Sequence, residues 1–156
     1  MGECGDRAYD LFCQGYNCAQ STFAALCPLT GLDQTMALRL ASGLGGGVAR
    51  QREVCGAVLG MSMAAGLLRG YDAADAYEEK IETYAMIQQL CADFKAVHGS
   101  IICRELLGLE RAEGTPVPER RTEQYYHNRR CGDFCRTAAE LLEQWLSEHP
   151  AQGKNE

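Results

Sequence analysis

Nine cysteines are the residues in this 156-residue chain with the most chemistry to offer. A thiolate can attack a disulfide, and it can also bind a metal; which of these a cysteine does is set by its surroundings. The nine make up about 6% of the chain, short of the ~8–10% typical of a disulfide scaffold. Their number is odd, and the first residues lack the basic, then apolar, then small-residue order of an export signal. Thiol or metal chemistry in the cytoplasm is therefore the expectation, rather than a disulfide framework. Local spacing adds little. No CxxC is present, so a thioredoxin-type pair and a zinc ribbon both lack their signature. Cys131 and Cys135 share a helix face, but a lone CxxxC is shared by many helices that bind nothing.

The elements that must position these thiols read as helices. No run of alternating β-branched residues is bounded by hairpin turns. The pattern predicts one all-α domain of six or seven helices over residues 1–149, followed by a flexible tail from Pro150 to Glu156. Helices are expected over Glu3–Cys13, from the cap Asn17 to Pro28, over Asp33–Ala41 and over Val54–Leu68. A long helix capped by Asp72 runs to Val97, about 39 Å at 1.5 Å per residue. Tyr77, Ile81, Tyr84, Ile87, Cys91 and Phe94 recur along it at three and four, a spacing that predicts its core face. Ser100 caps a short helix through Leu107. A polar loop covers Glu110–Glu119, and a last helix covers Asp133–Glu148 with Phe134, Ala138, Leu141, Leu142 and Trp145 inward.

On this frame the cysteines divide. Cys18, Cys55, Cys103 and Cys131 fall in, or just before, the first turn of an expected helix. Unpaired backbone N–H groups and the positive end of the helix dipole favour a thiolate there. Arg50 and Arg52 lie near Cys55 in sequence and make it the expected attacking thiolate. Cys4, Cys13, Cys27, Cys91 and Cys135 read instead as packing residues, since cysteine is often buried simply as a small hydrophobe. Gly56 and Gly60 are four apart and would let a second backbone come close. The run Gly43-Leu44-Gly45-Gly46-Gly47 lacks the Gly-Lys-Ser/Thr ending of a P-loop and reads as a tight turn near the start of the Cys55 helix.

The segment Cys55-Gly56-Ala57-Val58-Leu59-Gly60 resembles the CGAxxG motif of the C_GCAxxG_C_C family, whose members are described as redox-active. Asn17-Cys18-Ala19-Gln20 resembles the family's first-cysteine segment, and Gly45-Gly46-Gly47 precedes the motif in the same way. Cys103-Arg104-Glu105-Leu106-Leu107-Gly108 resembles the third segment. Cys131, with Ala138-Ala139-Glu140-Leu141-Leu142 in the helix after it, resembles the fourth. The resemblance covers residues 5 to 145. It implies redox activity through Cys18, Cys55, Cys103 and Cys131 in a mostly helical chain. Some members are fused to electron-transfer domains, which suits an iron–sulfur site. The five further cysteines depart from the family pattern.

Three functions remain open on this reading. Two thiols could cycle between dithiol and disulfide with a redox partner protein. Cys18, Cys55, Cys103 and Cys131 could together hold zinc or an iron–sulfur cluster, whose negative charge the helix starts would offset. The chain could also be a helical interaction module whose cysteines only pack, dimerising through its long helix. His127 lies near Cys131 but reads as a surface histidine beside Tyr125 and Tyr126. Arg120, Arg121, Arg129, Arg130 and Arg136 are interleaved with Glu119, Glu123 and Asp133, the pattern of a solvated face. A net charge of -6 argues against a nucleic-acid partner. The longest uncharged apolar stretch, from Val54 to Leu68, is shorter than the ~20 residues a membrane span needs.

Overall fold

The computed structural model describes residues 2–111 and 114–152. Among these the chain forms nine right-handed helices and no named strand: α1 Glu3–Cys13, α2 Cys18–Ala25, α3 Cys27–Thr30, α4 Gln34–Ala41, α5 Gly56–Arg69, α6 Tyr77–His98, α7 Cys103–Leu106, α8 Glu123–Asn128 and α9 Cys131–Glu148. Six of them have eight residues or more; the others are one or two turns long.

Local chemistry sets several of these boundaries. Asn17 accepts a hydrogen bond from the Gln20 amide at 2.9 Å while the Gln20 side chain accepts one from the Asn17 amide at 3.2 Å. This capping box starts α2 directly at Cys18. Asp33 caps α4 through the Met36 amide, and Gly31 ends α3 in the left-handed region. Pro28 lies in the first turn of α3 rather than at the end of α2, because a proline lacking an N–H is tolerated at a helix start.

The core is built where α2 lies between α1 and α5, with α9 packed across α1, α2, α5 and α6. Ala8, Phe12, Ala19, Phe23, Ala57, Met61, Ala138 and Leu142 are among its buried residues. A Cβ added at Gly60 would stand 2.8 Å from the Ala19 carbonyl oxygen and 3.1 Å from the Phe23 amide. The glycine is thus what lets the α5 and α2 backbones touch.

Several expectations are corrected. The fourth expected helix starts two residues later, at Gly56, because Val54 forms an isolated antiparallel bridge with Ile102 and Cys55 is the N-cap. Asp72 does not cap the long helix, which begins at Tyr77. The core face of that helix is only its C-terminal half: Met86, Leu90 and Phe94 are buried, with Ile87 and Cys91 partly covered. Tyr77, Ile81 and Tyr84 are 71%, 47% and 56% exposed, so the first half of that face lies largely in solvent. Ser100 accepts from the Ile102 amide, so it shapes the turn before α7 while Ile102 is the N-cap. α8 is a further helix beyond those the sequence pattern predicts, and Thr122 caps it through the Tyr125 amide. The last helix begins at Cys131, two residues before the expected start. Residues 112–113 of the polar loop and 153–156 of the expected tail lie outside the described residues.

Candidate functional site

Cys18, Cys55, Cys103 and Cys131 all line one cavity of about 510 Å³. Three pieces of local structure bring them there. The capping box aims the first turn of α2 at the cavity and presents Cys18. A short antiparallel pairing carries the next two: the Cys55 amide donates to the Ile101 carbonyl at 2.8 Å, and the Cys103 amide donates to the Glu53 carbonyl at 2.6 Å. Cys55 and Cys103 are therefore tied to each other through backbone, although 48 positions separate them. Cys131 is the first residue of α9.

The glycine-rich segment forms the remaining wall, in an unusual conformation. Gly46, Gly47, Val48, Ala49 and Arg50 have φ of 69°, 68°, 63°, 50° and 66°, a turn of left-handed helix, and Arg52 follows at 59°. Each non-glycine residue held there costs about 1–2 kcal/mol. The turn is held by bonds from the Arg52 amide to the Gly46 carbonyl at 3.1 Å and from the Glu53 amide to the Gly47 carbonyl at 3.0 Å. Arg104 locks it from outside, its amide and its Nη1 both donating to the Arg52 carbonyl. Glycine is needed at two points for space as well. A Cβ at Gly47 would stand 2.7 Å from Cys103 Cβ, and one at Gly56 would overlap Cys18 Sγ.

The left-handed turn delivers Arg52 into the protein. Its side chain is 5% exposed, and its Nη1 donates to Cys103 Sγ at 3.7 Å. Sequence proximity points Arg52 toward Cys55; the structure brings it to Cys103 as well, 51 positions away. At Cys55 burial pushes the thiol well above its ordinary value, and the charge of Cys18 adds to this; the Ala57 and Val58 amides at the start of α5 pull the other way and are outweighed. Burial also raises Cys18, against a counter-pull from the Gly46 amide. Cys131 is pushed up to about 12, by burial and then by the charge of Cys18, against Arg129. The helix starts are present at these sulfurs, but loss of hydration is the larger effect.

Cys18 is the common electrostatic neighbour of the group. Negative charge at Cys18 would raise Cys55, Cys131 and Cys135, so the four thiols resist ionising together. Cys135, expected only to pack, lies fully buried directly behind the cluster and donates from Sγ to the Cys18 carbonyl at 3.5 Å. Its position one turn after Cys131 was the available signal. Cys4, Cys13, Cys27 and Cys91 do not line the cavity, and the exposed His127 does not either. All nine cysteines are free thiols. Among the described residues, no group of three or more His, Cys, Asp or Glu side chains is gathered closely enough to hold a metal ion. The four thiols share a wall but do not, as placed, make a ligand set for zinc or an iron–sulfur cluster.

The arginines after residue 120 also depart from a uniformly solvated face. Arg121 donates to the carbonyls of Phe12 and Tyr16 at 3.0 Å and stacks over the Phe12 ring at 4.2 Å. Arg129 pairs with Glu119. All three of these charged residues line the cavity.

A helical chain with dispersed cysteines converging on one cavity defines a class of thiol-bearing α-proteins. The chain belongs to the C_GCAxxG_C_C family: the model described as "Putative redox-active protein (C_GCAxxG_C_C)" matches residues 16–145. No curated protein matches this chain, and no solved structure does. No helix among the described residues is long and apolar enough to cross a membrane.

Proposed function

We propose that the protein performs thiol–disulfide exchange at this cavity, with Cys103 attacking and Cys18 resolving. The observation that carries the reading is the shared cavity itself, lined by all four cysteines of the family pattern. Cys103 is the sulfur to which the Arg52 guanidinium donates, at 3.7 Å, so a cationic donor stands beside it when it reacts. Cys18 lines the same cavity, its Sγ packed against Gly56, the residue that follows Cys55.

The step balances without a cofactor. Cys103 gives up its proton and attacks one sulfur of a substrate disulfide; that S–S bond breaks, a mixed disulfide forms, and the first substrate thiolate leaves and takes up that proton. The Cys18 thiol then gives up its proton and attacks the Cys103 sulfur, forming a Cys18–Cys103 bond and releasing the second substrate thiolate. The substrate gains two electrons and the protein dithiol loses them. A bridge needs Cα atoms within about 7 Å. Cys55 and Cys131, which burial raises as it raises Cys18, line the same cavity and serve as second-line thiols for reshuffling the bond.

The test is a single turnover of reduced protein with a disulfide, followed by alkylation and peptide mapping. The expected product is a bridge within the set Cys18, Cys55, Cys103 and Cys131, with two thiols lost per protein. Cys103→Ser should abolish the first step, and Cys18→Ser should trap the mixed disulfide on Cys103. Stoichiometric iron or zinc in protein purified without oxygen, released only when these cysteines are replaced, would overturn the exchange reading in favour of a metal centre.

A further inference from the structure

We propose that the cavity selects a small anionic substrate, namely a low-molecular-weight disulfide carrying carboxylates, rather than a disulfide in a folded protein; the inference rests on the exchange reading above. The chain as a whole is acidic, with a net charge of -6. The charged side chains lining the cavity, among the described residues, have the opposite balance: Arg50, Arg52, Arg121 and Arg129 against Glu119 alone. These arginines come from two distant segments. Arg50 and Arg52 are delivered by the left-handed turn, and Arg121 and Arg129 flank α8 on the far wall.

The strain in the turn supports a binding role. Val48, Ala49, Arg50 and Arg52 sit at positive φ, a conformation that persists only when its surroundings enforce it and that clusters at ligand-holding sites. Here it sets Arg52 beside Cys103 and Arg50 at the cavity wall. Size agrees as well. About 510 Å³ lies within the ~300–1,000 Å³ of small-molecule sites. Phe12 and Tyr125 supply apolar wall against which the body of such a ligand can lie. A positive cleft in a negative protein concentrates anions at its mouth while the remaining surface repels acidic partners.

Two disulfide probes separate the proposal from its alternatives: dianionic 5,5'-dithiobis(2-nitrobenzoate) and neutral 2,2'-dithiodipyridine. Fully reduced Cys13→Ser protein, which lacks the exposed Cys13 thiol, is mixed with each probe. The thiolate that leaves the probe is followed by absorbance while peptide mapping identifies the cysteine modified. The ratio of dianion rate to neutral rate is compared with the same ratio for free cysteine. The expected result is a ratio about tenfold above the reference at low salt. It should fall toward the reference in molar salt, where the screening length drops to about 3 Å, and in Arg50→Gln or, should that variant misfold, in Arg129→Gln. Modification of the cavity cysteines by both probes at the reference ratio would overturn substrate selection and leave the exchange reading standing. If neither probe modifies any cavity cysteine, the exchange reading itself fails, and the selection with it.

Discussion

At Cys55 two opposing influences act on one sulfur. The first amides of α5 favour a thiolate, while complete burial favours the thiol, and burial wins. Cys103 has a guanidinium at its sulfur instead, and that guanidinium arrives through a turn that proximity in sequence does not reveal. The sorting of cysteines into cavity and packing groups is testable one residue at a time. Cys55→Ser should lower disulfide turnover or change the bridge pattern on peptide maps, whereas Cys91→Ser, on the half-buried face of α6, should leave both unchanged. Equal losses would remove the basis for the sorting. Asn17 is a second case. It caps α2, and its Nδ2 donates to the Ser42 carbonyl at 3.0 Å, tying the Cys18 turn to the segment that leads into the glycine run. Asn17→Ala should cost about 1 kcal/mol in urea unfolding and slow reaction at Cys18 more than that at Cys103.

At the scale of elements, α2 and α5 meet through glycine. Gly56 and Gly60 face the α2 backbone with no room for a methyl group, while Gly66, further along the same helix, has nothing within 4 Å of an added Cβ. Gly60→Ala should therefore cost about 1–3 kcal/mol through overpacking. Gly66→Ala should be neutral or stabilise by up to about 1 kcal/mol, since alanine is the better helix former. Thermal or urea denaturation reads both. Gly56→Ala should do more than destabilise: the added methyl must displace Cys18 Sγ, so exchange at Cys18 should fall even under conditions where the protein is folded. The helix boundaries around these residues were largely legible, because capping chemistry is local; α1 and the Asn17 box stand where the residues put them. The exposed first half of α6 was not. Spacing of three and four shows which residues share a face, but not whether another helix reaches that face.

At the scale of the whole molecule, buried thiols couple stability to pH. Burial raises Cys131 from an ordinary 9.0 to about 12 and Cys4 to about 11, with Cys18, Cys55 and Cys135 raised as well. The folded protein thus binds these protons more tightly than the unfolded chain. Below pH 9 both forms are protonated and the contribution is fully present. Between 9 and about 12 the unfolded chain loses its protons first, so stability falls as pH rises. The urea midpoint should drop between about pH 8 and about pH 10.5, and Cys131→Ala should make that drop shallower.

The all-helical class, the main helices and the four cysteines of the family pattern were determined by the sequence alone, because caps, periodicity and motifs act over a few residues. The tertiary structure decided that these thiols share a cavity, that Arg52 meets Cys103, and that Cys135 backs Cys18. Those contacts join segments dozens of residues apart, and they depend on a left-handed turn whose strain only the surrounding packing can sustain.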